Sequence, residues 1–405
     1  VSFMKTLLIL CGGSEAVEAI KIAKSMGHNV FVCDGNINAP GKKLADQFIH
    51  ASIYHPEEIL EALERFEDKN LVNGIITVAA DNPLSVSKAA KYLGLNSLTE
   101  RAATLSTNKL KMKDVLKKSN ILIPWYKGIN SLEELKKVLN SRPSDYVLKP
   151  IDSRGSRGVI RINNILECEN AFEYAIKYSD KGELILEEWI DGHQLSSESI
   201  VFNKKAHICG LADRNYDRLE ELYPFVVEDG GETPSRFSSP ELENKIDKLM
   251  TSICEIIGFE EGSIKGDLIL SDDEIYLVEF ATRLSGGSFS TFTIPQVYGY
   301  DLIKNVIKIS LGEKPNLPPK PLEVKKYQCN RFCFIPEGII QKISGLPSPD
   351  KNIIDFQLYV NEGDSIKKIT NHTMRAGTVL TVTSSPEKSL NLAIQTIKDI
   401  KFEMR

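Results

Sequence analysis

The sequence predicts a three-domain chain of α/β and α+β type, and three observations carry that expectation. Residues 5–105 alternate short apolar, β-branched runs with amphipathic stretches of helical period, the pattern of a parallel sheet wound with helices. From residue 106 the pattern changes to strands joined by turns, ending in two runs on either side of Ser271-Asp-Asp-Glu274 that read as a hairpin. Finally, Glu313-Lys-Pro-Asn-Leu-Pro-Pro-Lys-Pro321 cannot sustain a helix and marks a linker to a small unit of short strands and one helix. The expected domains are 1–105, 106–320 and 321–405.

In order, Thr6 to Leu10 is a strand, Gly12-Gly13-Ser14 a tight turn, and Glu15 to Met26 a helix with Ala16, Ile20, Ala23 and Met26 on one stripe. Asn29 to Asp34 is a second strand ending in an acid. Glycine at the first turn and a carboxylate after the second strand resemble a dinucleotide-binding fold, but the third glycine of that fingerprint is missing; the same glycines equally serve a plain sharp turn. A helix Pro56–Asp68, a strand Gly74–Ala79, a turn at Asp81-Asn82-Pro83 and a helix through Tyr92 complete the unit. Beyond it come a helix opening at Thr107-Asn-Lys109, an extended Ile123-Pro-Trp125, a helix Leu132–Leu139 and a strand Tyr146–Pro150. After the loop Asp152–Gly158 come a short strand 159–162, a strand running into a turn over Leu184–Gly192 and strands 195–202 and 206–212, then a long polar stretch 213–240 and a helix Glu241–Ile257. The last unit carries strands near 329–334, 356–360 and 378–382 and a helix from Ser385-Pro386 that buries Leu390, Ala393, Ile394 and Ile397.

Composition limits the partners. With 405 residues, 42% apolar content and a net charge of −5 without a basic stripe, nucleic acid and anionic membrane are not expected as main partners. Leu7-Leu-Ile-Leu-Cys11 is too short an apolar run for a signal segment, with bulky Leu10 before the cysteine, and reads as the first strand. Seven scattered cysteines imply reduced thiols and a cytoplasmic setting. Cys329 and Cys333 lack a second pair that would suggest zinc.

The chemistry concentrates in Ile275-Tyr-Leu-Val-Glu279-Phe-Ala-Thr-Arg283-Leu-Ser-Gly286-Gly287, where a buried strand delivers a carboxylate, an arginine and two glycines. Asp267 on the preceding strand could face Glu279 across the hairpin. Two hard oxygen ligands plus nucleotide phosphates suit Mg²⁺. The loop Asp152-Ser-Arg-Gly155-Ser156-Arg157-Gly158 can wrap N–H groups around phosphate oxygens, or serve as a surface hairpin. Glu187-Glu188-Trp189-Ile190 ends an apolar strand whose backbone could pair with an adenine edge, with Trp189 alternatively simple core; Glu198 could hold ribose hydroxyls.

The order of these elements resembles the ATP-grasp superfamily, in the branch holding biotin carboxylase, carbamoyl-phosphate synthase, purine-pathway ligases and L-amino-acid ligases. The resemblance implies a Rossmann-like pre-grasp domain, a grasp domain with a lid subdomain over about 125–190, and a small C-terminal α+β domain. Lys109 and Lys149 are similar to the family's phosphate lysines, Gly155, Ser156 and Gly158 to the mobile lid loop, and Glu187, Glu188, Trp189 and Ile190 to the adenine hinge. Glu198 is similar to the ribose-side carboxylate, Asp267 and Glu279 to the Mg²⁺ pair, and Arg283 to the arginine that neutralises the transferring phosphate. Ala281 departs from the pattern, because many members carry asparagine there as a further metal ligand. Ser285, Gly286 and Gly287 resemble the ending of amino-acid-ligase-like members, where backbone amides approach a substrate carboxylate.

What the resemblance implies is an ATP-dependent carboxylate–amine ligase that passes through an acyl phosphate, with ATP and Mg²⁺ (or Mn²⁺) as cofactors, small-molecule carboxylate and amine substrates, and room for a homodimer. Asp213, Arg214, Arg331 and Arg375 are candidate substrate contacts, with an exposed acid and surface cations as the plainer alternative. The competing readings are a bicarbonate-using carboxylase or carbamoyl-phosphate type enzyme, an NAD-dependent oxidoreductase on residues 5–105, and a nucleotide-binding regulator with a weakened metal site.

Overall fold

In the computed structural model, which describes residues 4–405, the chain opens with four parallel strands in the order Gln47–His50, Asn29–Asp34, Thr6–Ile9, Val72–Ile76. Leu7, Leu8 and Ile9 are fully buried, and the first strand is buried along its whole length because both faces are covered. The helix Ser14–Ser25 buries Ala16, Ala19, Ile20 and Ala23. At the glycine turn the backbone N–H of Gly12 donates to Asp34 at 2.7 Å, and a Cβ on Gly12 would lie 2.9 Å from that of Ala39. The acid after the second strand therefore closes the turn on itself, and close approach explains the glycine.

A second sheet, antiparallel, orders Tyr126–Ile129, Leu184–Glu188, Tyr146–Pro150 and Ile160–Ile162. With the helices Leu132–Ser141 and Cys168–Ile176 it encloses its own core around Leu135, Leu148, Ala171 and Leu186. The third sheet runs Lys205–Asp213, His193–Phe202, Gly262–Ser271, Glu274–Ala281, backed by the helix Pro240–Ile257. That helix has the expected ends: the Ser239 hydroxyl accepts from the Leu242 N–H, Pro240 begins the first turn, and Gly258 leaves it left-handed at φ 72°. One continuous core joins the first and third sheets, and the helix Leu302–Ser310 packs against both.

The hairpin turn is two residues long, with Asp272 at φ 51°. Its first strand continues to Ser271, so Asp267 lies within the strand rather than at its end. A charge in an apolar run reads as a terminus; here it is a side chain facing the cleft.

The C-terminal sheet orders Gly230–Thr233, Tyr327–Cys333, Gly377–Thr383, Ile353–Leu358. Its edge strand comes from the stretch read as polar loop. Gly230-Gly231 has no strand propensity, but a Cβ on Gly231 would lie 2.4 Å from the Asp213 carbonyl oxygen, and only glycine allows that crossing. The helix Pro386–Asp399 buries Ala393 as expected and is followed by a further strand, Lys401–Met404. All seven cysteines are buried and unpaired. No helix of the described residues is long and apolar enough to cross a membrane.

Candidate active site

The lid sheet and the third sheet face each other across a cleft of about 350 Å³. The hairpin register sets Asp267 directly opposite Glu279, so both carboxylates project from one face. Lys149, on the lid strand Tyr146–Pro150, reaches into the same space from above, and Lys109 opens the helix Lys109–Lys118 at its edge. Asn108 is the cap of that helix, its side chain accepting from the Lys111 N–H at 2.9 Å, which holds the helix start in place.

Every cation here has an anion. The Lys109 ammonium lies 3.5 Å from Glu279 and donates to the Ser153 carbonyl at 2.8 Å. Lys265 pairs with Asp267 at 2.9 Å, Arg214 bridges Glu228 at 2.9 Å and Asp267 at 3.4 Å, and Arg283 pairs with Asp81 of the N-terminal unit at 2.5 Å. Burial alone would raise the Glu279 carboxyl, but Lys109, Lys149, Lys265 and Arg214 outweigh it and hold it well below the usual carboxylate range. Around the whole cleft the cations Lys109, Lys149, Arg154, Arg214, Lys265 and Arg283 are equalled in number by the acids Asp81, Asp152, Glu187, Glu188, Asp267 and Glu279, although Arg154 stacks on Tyr54 and Glu188 pairs with Arg142.

Behind this layer lies an ion triad. Glu187 accepts from Lys149 at 2.9 Å and sits 3.5 Å from Lys113, whose side chain is 0% exposed. Burial pulls the Lys113 ammonium down to about 8, with Glu187 opposing. Lys113 escapes sequence reasoning because a lysine among Lys109, Lys111, Lys117 and Lys118 reads as a solvated face; its spacing of four from Lys109 and its position beside Met112 and Leu116 are the only signals.

The hinge Glu188–Ile190 follows the triad. The Glu188 N–H donates to the Trp125 carbonyl and the Trp189 N–H to that of Asp145, both in the lid. Among the described residues no acceptor takes the Ile190 N–H, which borders the cleft beside Pro124, Val147 and Leu268. An apolar slot with a free backbone donor suits a flat heteroaromatic base. The Trp189 ring carries the Arg161 guanidinium at 4.5 Å. Gly155, Ser156 and Gly158 all have positive φ (64°, 58° and 74°), and the loop is fastened on several sides. The Ser156 hydroxyl donates to the Val226 carbonyl, the Gly155 carbonyl accepts from the His372 N–H at 3.1 Å, and Arg154 stacks on Tyr54.

A second cavity of about 650 Å³ adjoins the cleft, with Arg214, Lys265 and Arg283 common to both. Ser285, Gly286, Gly287 and Asp213 line it. Asp213 is not an exposed loop acid: it is buried, accepts from the Ser235 hydroxyl at 2.5 Å and pairs with Arg236 at 2.7 Å. Two expected contacts lie elsewhere. Glu198 is 0% exposed and borders neither cavity; it lies directly opposite Lys265 on the same face of the third sheet and accepts from the Ser285 N–H at 3.2 Å, so it supports the turn after Arg283 rather than a ribose. Burial pushes its carboxyl up to about 7, against Ser285, Lys265 and Arg283. Arg331 borders neither cavity because its guanidinium is engaged with Glu232. Side-chain direction, which periodicity only half determines, decided both.

The donor set fits Mg²⁺. Among the described residues no three His, Cys, Asp or Glu side chains form a metal cluster, so a cation here would take Asp267 and Glu279 and complete its shell with phosphate oxygens and water. Asp267 Oδ1, although 2.9 Å from the Lys265 ammonium, receives no well-directed hydrogen bond and keeps a lone pair for such a ligand.

A two-sheet clamp with paired lysines, a glycine-rich flap and facing carboxylates defines the class of nucleotide-grasping ligases. Residues 106–287 match the ATP-grasp domain family, and residues 331–405 match L-amino acid ligase C-terminal domain 2. The chain thus carries an ATP-grasp domain followed by an L-amino acid ligase C-terminal domain. It is 23% identical over 328 residues to the 2-oxoglutarate carboxylase small subunit of Hydrogenobacter thermophilus (76% of this chain, 67% of that one). It is 25% identical over 193 residues to a formate-dependent phosphoribosylglycinamide formyltransferase of Prochlorococcus marinus (47% and 48%). Among solved structures, an L-amino acid ligase of Bacillus licheniformis superposes over 100% of both chains with a TM-score of 0.81 at 18% identity.

Proposed function

We propose that this protein joins a carboxylate to an amine, forming an amide or peptide bond through an acyl phosphate and releasing ADP and phosphate. The observation that supports it best is the junction at Arg283, Lys265 and Arg214, which border both the nucleotide-type cleft and the larger polar cavity beside it. A carboxylate in that cavity would attack the γ-phosphate across a row of cations. Bringing two anions together is the main barrier, and preorganised charge along the line of transfer lowers it. Lys149 and Lys109 would hold the phosphates, and Arg283 would neutralise the transferring group. Mg²⁺, held by Asp267 and Glu279, would neutralise phosphate charge and orient the γ-phosphoryl. The lid loop, fastened to Val226 and His372, would keep water from the acyl phosphate until the amine attacks its carbonyl and expels phosphate. The nucleotide would be ATP, and the Ile190 N–H would receive its base.

The C-terminal match to an L-amino acid ligase domain favours amino acids over bicarbonate. The test is a screen of amino-acid pairs for phosphate release followed by mass measurement of the product. Lys149→Ala and Glu279→Ala should lower that release by at least a hundredfold in protein that still folds. ADP formation driven by bicarbonate without any amine would defeat the proposal, and light scattering would decide whether the enzyme is a homodimer.

A further inference from the structure

The cavity beside Arg283 holds four basic side chains, Arg214, Lys265, Arg283 and Arg375, and three of them have carboxylate partners. Arg375 has none. Among the described residues it forms no ion pair; its Nε donates to the His372 carbonyl at 2.9 Å and its Nη1 to the Glu228 carbonyl at 3.4 Å. The guanidinium plane covers Phe332, 3.4 Å from the ring centroid. These contacts fix the fork in one orientation and leave Nη2 without a protein acceptor among the described residues. A guanidinium is always charged, and holding it partly out of water without an anion is unfavourable unless a ligand brings one. Of the acids on the same wall, Asp213 is engaged with Arg236, and Glu228, although near enough to attract Arg375, directs its carboxylate to Arg214, so no carboxylate bonds the fork.

We infer that Arg375 is the specificity-determining contact of this cavity, and that it receives a substrate carboxylate that takes no part in bond formation. This rests on the ligase reading for the word substrate, although the anion site itself stands on the unpaired guanidinium. The reacting carboxylate belongs beside Arg283 and Lys265, which border the phosphate cleft. The second carboxylate is then either that of an amino acid acting as the amine or the far end of a dicarboxylic acyl donor. A rigid, stacked fork favours bidentate carboxylate capture over a neutral amide.

The test is calorimetry on the full chain with Mg²⁺ and a non-hydrolysable ATP analogue. It is titrated with the L-amino acids and their amides in one arm, and with succinate, glutarate and their monoamides in the other. At least one acid should bind on the order of 10- to 100-fold tighter than its amide, the loss expected when one charge-assisted hydrogen bond is removed. Arg375→Ala should erase that preference and Arg375→Lys restore part of it, with the analogue bound as in the wild type. The arm that shows the effect assigns the carboxylate to the amine or to the acyl donor. Equal binding of acid and amide, no binding by any member of either arm, or a preference that survives Arg375→Ala would overturn the inference. Because binding is the readout, absence of ADP formation with the compounds that bind would count against the ligase reading and leave the Arg375 contact intact.

Discussion

Replacing Glu187 with methionine isolates the ion triad. The carboxylate lies 2.9 Å from the Lys149 ammonium and 3.5 Å from that of Lys113, and the three side chains are 2%, 7% and 0% exposed. At an effective dielectric of about 20, each attraction is worth about 5 to 6 kcal/mol, most of it offset by the desolvation of three buried charges. Removing the anion forfeits the attraction and leaves two ammonium groups facing each other without water. Glu187→Met should therefore cost about 3–5 kcal/mol, the range for a buried pair broken on one side. Lys113→Met should behave oppositely. It leaves Glu187 paired with Lys149 and removes an ammonium that burial already drives down to about 8, so stability should change by less than about 1 kcal/mol or rise. Urea unfolding followed by tryptophan fluorescence is well suited, because Trp125 packs 5.9 Å from Tyr146 in the lid and Trp189 sits at the hinge. If Glu187→Met loses less than about 1 kcal/mol, water reaches the triad and the buried-charge account fails.

Three further outcomes are expected. Glu198 has its carboxyl raised by burial from 4.5 to about 7, so the fold holds its proton longer than the unfolded chain does; the corresponding stability, at most about 3 kcal/mol, is full below pH 4.5 and is lost as pH rises through 7. Glu198→Gln keeps an acceptor for the Ser285 N–H and should flatten the stability profile between pH 5 and 8; an unchanged slope in denaturation midpoints would contradict the placement. Gly158→Ala puts a Cβ at φ 74°, 2.7 Å from Pro150 Cγ, and should cost about 1–2 kcal/mol while raising the KM for ATP, measured by ADP release at varied nucleotide. Chelation by EDTA should abolish ADP release and Mn²⁺ should restore it, whereas turnover persisting in EDTA would mean that Asp267 and Glu279 serve only their cationic neighbours.

The hairpin was legible because two signals coincide there: apolar, β-branched runs on both sides of a two-residue acidic turn, and a carboxylate in each run. Once the turn length is known the register follows, and with it the opposition of Asp267 and Glu279. Lys149 and the glycine loop were legible for a similar reason, since a charge ending an apolar strand next to a Gly-Ser-Arg turn has few structural explanations. The parts that escaped are those decided between elements distant in the chain. Nothing local to Glu198 says that the turn at Ser285 covers it, nothing near Gly230-Gly231 says that a strand of the C-terminal sheet passes there, and Lys113 shows its burial only once the lid sheet covers it. Arg331 and Arg375 are alike in sequence, and only the position of Glu232 gives the first guanidinium a carboxylate partner that the second lacks.

Because the cleft is charge-matched, a triphosphate cannot simply add to it. Lys109 is held by Glu279, Lys265 by Asp267 and Arg283 by Asp81, so each cation that turns to a phosphate frees a carboxylate. A buried carboxylate left without a counter-charge is costly, and two of those freed, Asp267 and Glu279, are the pair that a divalent ion would take. On the proposed assignment nucleotide and metal would therefore bind cooperatively: the anion would release the acids and the cation would stabilise them. Asp81 is the exception, since it belongs to the N-terminal unit and stands apart from the metal pair. Its separation from Arg283 would leave an acid with no new partner, which makes the Arg283 contact the least favourable exchange and ties phosphate neutralisation to the position of the N-terminal unit. The lid loop meets the same unit through Arg154 on Tyr54 and the C-terminal domain through His372, so all three parts of the chain converge on the cleft.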